Sequence, residues 1–185
     1  MRIRGSTSLP VVAVAVGDAL RRAGIRAVLT GGACASIHTR GGYSSVDADF
    51  ILVGEVSRNR LDEALASLGF VLSGDRYVHA ESDFYVEFPR GPLAIGADHA
   101  VRPVEYVSGT RRCLMLSATD SCRDRLAAFY HWNDRQSLQV AIRIALANRL
   151  EWRRIRQWSE DEGFAARYEE FLAELRRERR HRPRP

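Results

Sequence analysis

Apolar residues at Val12, Ala15, Val16, Ala19 and Leu20 recur at helical spacing, so residues 10–23 are expected to form an amphipathic helix that Gly24 ends. Residues 27–29 are a short apolar run and read as a buried strand. Thr30-Gly31-Gly32 follows, and residues 33–38 read as a short helix. Between residues 46 and 53 the period drops to two. Val46, Ala48, Phe50 and Leu52 fall on one face, with Asp47, Asp49 and Ile51 on the other, which is strand alternation. Residues 57–68 return to a helical pattern, with Ser57 placed to cap it and Gly69 to stop it. Residues 70–72, 76–79 and 84–88 read as strands of a sheet, and 105–107 and 113–116 add short strands.

From residue 117 the pattern is helical throughout. A helix capped by Ser117 or Thr119 runs to His131, and further helices are expected over 137–150, 152–159 and 164–179. The fold class is therefore α/β (α+β): a mixed sheet flanked by helices over residues 1–116, then a C-terminal helical region over 117–180. No Gly/Ser/Pro-rich stretch separates the two, so they are expected to pack on one core. Residues 181–185 close on Arg-Pro-Arg-Pro and are expected to form a disordered basic tail.

A chain of 185 residues with 45% apolar content suits one domain, or one with a helical appendage. The longest apolar run, residues 10–16, is far short of the roughly 18 residues of a membrane span. The N-terminus lacks a secretory pattern, so the expected location is cytoplasmic and no membrane partner is expected. Cys34, Cys113 and Cys122 are widely spaced and form no CxxC, which excludes a zinc ribbon and fits reduced thiols. All 28 basic residues are Arg. The first hundred residues hold 10 Arg against 11 acidic residues, and the remaining 85 hold 18 against 12. Any phosphate site must therefore use a guanidinium, and the basic C-terminal half suits a polyanionic partner.

Three segments point to chemistry. Gly31-Gly32 lies between a strand and a helix, where small residues admit a close ligand and the helix start favours phosphate; it is equally a structural turn. Asp47 and Asp49 project to one face of their strand, and two carboxylates so placed repel unless a cation or a proton lies between them; a solvated strand edge is the plain alternative. Glu87 sits in an apolar strand between Val86 and Phe88. If its strand lies beside the Asp47/Asp49 strand, the three carboxylates can clamp metal ions for in-line phosphoryl transfer.

Taken in this order, Gly31-Gly32, Asp47-x-Asp49 and Glu87 resemble the signature of the nucleotidyltransferase superfamily of DNA polymerase β. The resemblance covers about residues 10–90. The spacer of 14 residues is long for a minimal member, with Gly41-Gly42 accounting for an extra loop, and Glu87 stands where Asp is commoner. It implies a nucleotidyltransferase-type mixed sheet and an enzyme moving NMP from an NTP to an acceptor hydroxyl. It also implies Mg²⁺, or Mn²⁺, held by Asp47, Asp49 and Glu87, with Gly31 and Gly32 beside the phosphates. Ser44 and Ser45 precede the Asp-x-Asp pair and can donate hydrogen bonds to a phosphate, with turn residues as the equal alternative.

Residues 124–138 resemble the corresponding segment of AbiEii-type and MenT-type toxin nucleotidyltransferases, in which a basic residue at the start of one helix and an acidic residue at the start of the next flank the nucleotide. Arg125 and Asp134 match these positions, with Arg where that family usually has Lys; a surface Arg125 and an Asp134 that only caps a helix are the alternatives. This branch implies the 3′ end of tRNA as acceptor, a toxin role and a cognate antitoxin protein. Small-molecule antibiotics and protein hydroxyls are the rival acceptors, and a non-catalytic RNA-binding module is the rival from another class. His38 and Arg40 lie near the spacer loop. An aromatic at His131 or Trp132 can stack on a base, although a core position is the expected one for Trp132. Arg153, Arg154 and Arg156 can track an RNA backbone or form a charged helix face.

Overall fold

The computed structural model describes residues 2–181. In chain order the elements are α1 (Leu9–Arg22), β1 (Ala27–Leu29), α2 (Gly31–His38), β2 (Asp47–Leu52), α3 (Arg58–Ala66), β3 (Phe70–Ser73), β4 (Arg76–His79), β5 (Ser82–Glu87), β6 (Val104–Ser108) and β7 (Arg111–Met115). Four helices follow: α4 (Ala118–Trp132), α5 (Arg135–Ala147), α6 (Trp152–Asp161) and α7 (Ala165–His181). The mixed α/β architecture expected from the alternation of periods is present. Most boundaries shift by one to three residues, and three of the shifts bear on the site or the chain end. Gly31 and Gly32 belong to the first turn of α2 rather than to a preceding loop, α5 begins two residues earlier because Asp134 caps it, and α7 continues through His181. The expected disordered tail otherwise lies outside the described residues.

The seven strands form one sheet in the order β3-β4-β5-β2-β1-β7-β6. β1 runs antiparallel to β2 and parallel to β7, and β2 runs parallel to β5. The outer pairs β3/β4, β4/β5 and β6/β7 are antiparallel, as short turns between consecutive strands require. This order seats β2 at the centre, between β1 and β5, so the segments after β1 and along β2 and β5 meet. α1 packs across β1 and β7, and α4 packs on α2 and α5. One cluster of buried apolar side chains takes in Val16 of α1, Phe50 of β2, Leu126 of α4 and Phe171 of α7. Among the described residues, no helix is long and apolar enough to cross a membrane.

Candidate active site

The candidate site forms where β1 hands over to α2 against the middle of β2. The Thr30 backbone N–H donates to Asp49 O at 2.9 Å, and its hydroxyl donates to the same oxygen at 3.4 Å. This pins the turn to the strand. Gly31 has φ of +61°, and a Cβ there would overlap the Asp49 carboxylate. A Cβ on Gly32 would overlap the Ser45 hydroxyl and come within 3.5 Å of the Tyr43 hydroxyl. Both glycines are therefore required by close approach: the helix start lies directly against the side chains that the next strand presents.

The parallel register pairs Asp47 with Tyr85 and Asp49 with Glu87. Period-two alternation then sends Asp47, Asp49 and Glu87 to one face, and a carboxylate oxygen from each lies within 4.8 Å of the others. All three are half-buried. Burial pushes the Asp49 carboxyl up to about 7, and the neighbouring charges of Asp47 and Glu87 push the same way, with Arg125 opposing them. An all-carboxylate oxygen set in this state fits a hard divalent cation such as Mg²⁺, which would relieve the repulsion.

Ser45 donates a hydrogen bond from its hydroxyl to Asp47 Oδ1 and so braces the first acid. Ser44 is exposed, and its hydroxyl reaches only the Ser45 carbonyl at 3.3 Å. Arg125 stands in the middle of α4 rather than at a helix start. It pairs with Asp124 Oδ2 through Nη2 at 2.6 Å and Nε at 3.1 Å. Burial works against its charge, but Asp124, Tyr43 and Asp49 outweigh it, and its pKa stays above the ordinary value. Arg125 and Asp124 face Thr30, Gly31 and Asp49 across a cleft of about 250 Å³ whose far wall includes Pro89 and Leu93.

Asp134 is the N-cap of α5. Its Oδ1 accepts from the Ser137 backbone N–H at 3.0 Å, and its Oδ2 accepts from the Ser137 hydroxyl at 2.7 Å. The hydrogen bond from the Ser137 hydroxyl is the main reason its pKa is depressed, and the charge of Arg125 adds to that. It does not hold Arg135, which pairs instead with Glu170 and with Glu174. His38 is tied to the Leu116 carbonyl at 2.9 Å, burial lowers its pKa, and Arg40 is exposed at φ of +53°. Trp132, expected in the core, is instead 77% exposed, because it falls on the outward face at the last residue of α4.

Two site residues gave little sequence signal. Tyr43 arrives through the spacer loop, which Arg143 holds at the Gly42 carbonyl and Ser36 at the Tyr43 carbonyl. Asp124 looks like an ordinary surface acid beside Arg125 until both are placed in the cleft.

No protein-family model matches the chain, and no curated protein matches it. Among solved structures, an antigenic nucleotidyltransferase-like protein from Paracoccidioides brasiliensis is similar over 88% of this chain and 93% of its own, with 13% identity and a TM-score of 0.52. The fold is of the nucleotidyltransferase type. The antibiotic-resistance factor ANT(2'')-Ia covers 94% of this chain and 97% of its own at 16% identity, with a TM-score of 0.49.

Proposed function

We propose that the protein is a divalent-metal-dependent nucleotidyltransferase that moves NMP from an NTP to an acceptor hydroxyl. The observation behind this reading is the convergence of Asp47, Asp49 and Glu87 beside the Gly31-Gly32 turn. A protein that had only kept the fold as a binding module would have no electrostatic reason to hold three carboxylates together in a half-buried site.

In this reading Asp47, Asp49 and Glu87 hold Mg²⁺, or Mn²⁺. The bound ion supplies charge neutralisation at the phosphates and favours ionisation of the attacking hydroxyl. Gly31 and Gly32 leave room for the phosphates against the N–H groups at the start of α2. Ser45 fixes Asp47, and Ser44 reaches the phosphates from the loop. Arg125 meets the triphosphate as a planar cation, its tilt set by Asp124 and its charge supported by Asp134. The acceptor oxygen attacks the α-phosphorus as the bond to the bridging oxygen of the β-phosphate breaks. Pyrophosphate leaves with that electron pair, and Glu87 takes the proton of the acceptor hydroxyl.

The 3′ end of tRNA is the acceptor we favour. It is the one implied by the likeness to AbiEii-type and MenT-type toxins, and the arginine excess of residues 101–185 supports a polyanionic substrate. As such a toxin, the protein would act beside a cognate antitoxin. The test is incubation with total tRNA, Mg²⁺ and each α-labelled NTP in turn. Label should enter tRNA from a preferred NTP and be lost in Asp49→Asn. Label absent from tRNA with NTP binding intact would move the acceptor to a protein or a small molecule. No NTP binding would overturn the enzymatic reading.

A further inference from the structure

The turn between α4 and α5 leaves an indole in water. Trp132 is 77% exposed, whereas Trp158 is buried and Trp152 is partly buried. An open indole is a flat, rigid aromatic face on which a planar partner can stack. Trp132 lies seven residues after Arg125 on one helix. That spacing puts both on the same face, about 10 Å apart along the axis. The indole thus stands beyond the cleft on the side that Arg125 marks.

The surroundings of the indole supply cations. Arg167 donates through Nη1 to the Phe129 carbonyl at 3.0 Å and to Asn133 Oδ1 at 2.9 Å. Its guanidinium carbon also lies 4.9 Å from the centre of the Phe129 ring, with that of Arg135 at 5.3 Å from the same ring. These contacts hold Arg167 beside the residue that follows Trp132. Arg135 is neutralised by Glu170 and Glu174, but Arg167 makes no salt bridge among the described residues. A guanidinium without a carboxylate, held at Asn133, the residue after an open indole, offers the two chemistries that a single-stranded nucleic acid needs: a face for a base to stack on and a cation for a phosphate.

We propose that Trp132 and Arg167 form a docking site for the single-stranded end of an RNA acceptor, Trp132 stacking on an unpaired base and Arg167 meeting a backbone phosphate. This rests on the nucleotidyltransferase reading above and adds where the acceptor strand lies. An RNA strand fits better than the NTP. The phosphates of an NTP are engaged at the glycine turn and Arg125, which leaves none for Arg167, and Trp132 is not among the residues lining the cleft. A strand brings a phosphate with every base.

The experiment is a titration of the full chain with a short single-stranded RNA, without NTP and without metal. Tryptophan fluorescence and the anisotropy of labelled RNA are both read. RNA should quench the fluorescence of the wild-type protein. Trp132→Ala should lose that quench and bind roughly 5- to 150-fold more weakly, the equivalent of about 1–3 kcal/mol for one stacked base. Trp132→Phe should keep most of the affinity, and Arg167→Gln should bind more weakly with a shallower salt dependence. Circular dichroism of the variants checks that they are folded. Wild-type affinity in Trp132→Ala would overturn the proposal, as would RNA binding that leaves the tryptophan fluorescence of the wild-type protein unchanged. Since neither NTP nor metal is present, loss of label transfer alone would count against the enzymatic reading and leave this one standing.

Discussion

Asp49 sits where two structural demands collide. Its backbone carbonyl anchors Thr30, and its carboxylate rests against Gly31 with Asp47 and Glu87 alongside. Without a cation the cluster is self-repelling, so the residue that serves function weakens the fold. Asp49→Asn keeps the shape and removes one charge. The metal-free variant should melt higher than the wild type by roughly 2–4 °C for each kcal/mol of repulsion relieved. Mg²⁺ should raise the melting temperature of the wild type and leave that of the variant nearly unchanged. Thermal melts with and without Mg²⁺ decide this, and a variant that melts lower than the wild type without metal would refute the repulsion argument. At this scale the sequence was informative in part. Period-two alternation alone puts Asp47 and Asp49 on one face. That Gly31 must be glycine because of Asp49 could not be read, because the contact joins residues separated by a loop.

The elements were legible where a period or a cap dictates them. The limits of β1 follow from a short apolar run between turn signals, and α1 from its stripe of Val and Ala. What escaped was pairing. Nothing local says that β5 lies parallel to β2 with Glu87 opposite Asp49, since both the strand order and the register are set by the whole sheet. Trp132 escaped for a related reason. An apolar residue at a helix end reads as core until the neighbouring helices are placed. The start of α5 shows what a cap contributes. Asp134 gives both carboxylate oxygens to Ser137, and the hydrogen bond from the Ser137 hydroxyl is the main cause of its depressed pKa. A depressed carboxylate contributes stability that is present above its unfolded value, about 4, and lost as the pH falls through the folded value. Asp134→Ala should therefore cost about 1 kcal/mol at neutral pH, and the gap to the wild type should narrow below pH ~4 as the charge-assisted part of the cap is lost. Asp134→Asn should keep most of the stability, because an amide oxygen also caps. Urea melts across pH check both expectations.

At the scale of the molecule, the C-terminal helices hold one wall of the cleft. The connection between β5 and β6 carries Pro89 and Leu93 past the site, and α6 ties it down beyond that point. Trp158 Nε1 donates to the Ile95 carbonyl at 3.1 Å, and Glu162 accepts from the Ala97 backbone N–H at 2.6 Å. Beneath them lies Arg123, fully buried, which donates to Asp98 and to Asp120 and stacks over the Trp158 ring at 4.9 Å. Asp120 is fully buried as well, and Arg154 reaches it at 3.1 Å. The pairing cannot be loosened from one side without leaving a charge in the interior. Arg123→Met keeps much of the volume and leaves the Asp120 carboxylate with Arg154 as its cation and the Ser117 hydroxyl as its other donor. It should cost about 3–5 kcal/mol, towards the lower end because Arg154 remains, and lower the melting temperature by roughly 6–20 °C. Adding Asp120→Asn should recover part of that loss, because it removes the orphaned charge. If the double variant proved no more stable than Arg123→Met, the damage would lie in lost packing over Trp158, and the ion pair would not be what joins the helices to the wall of the cleft.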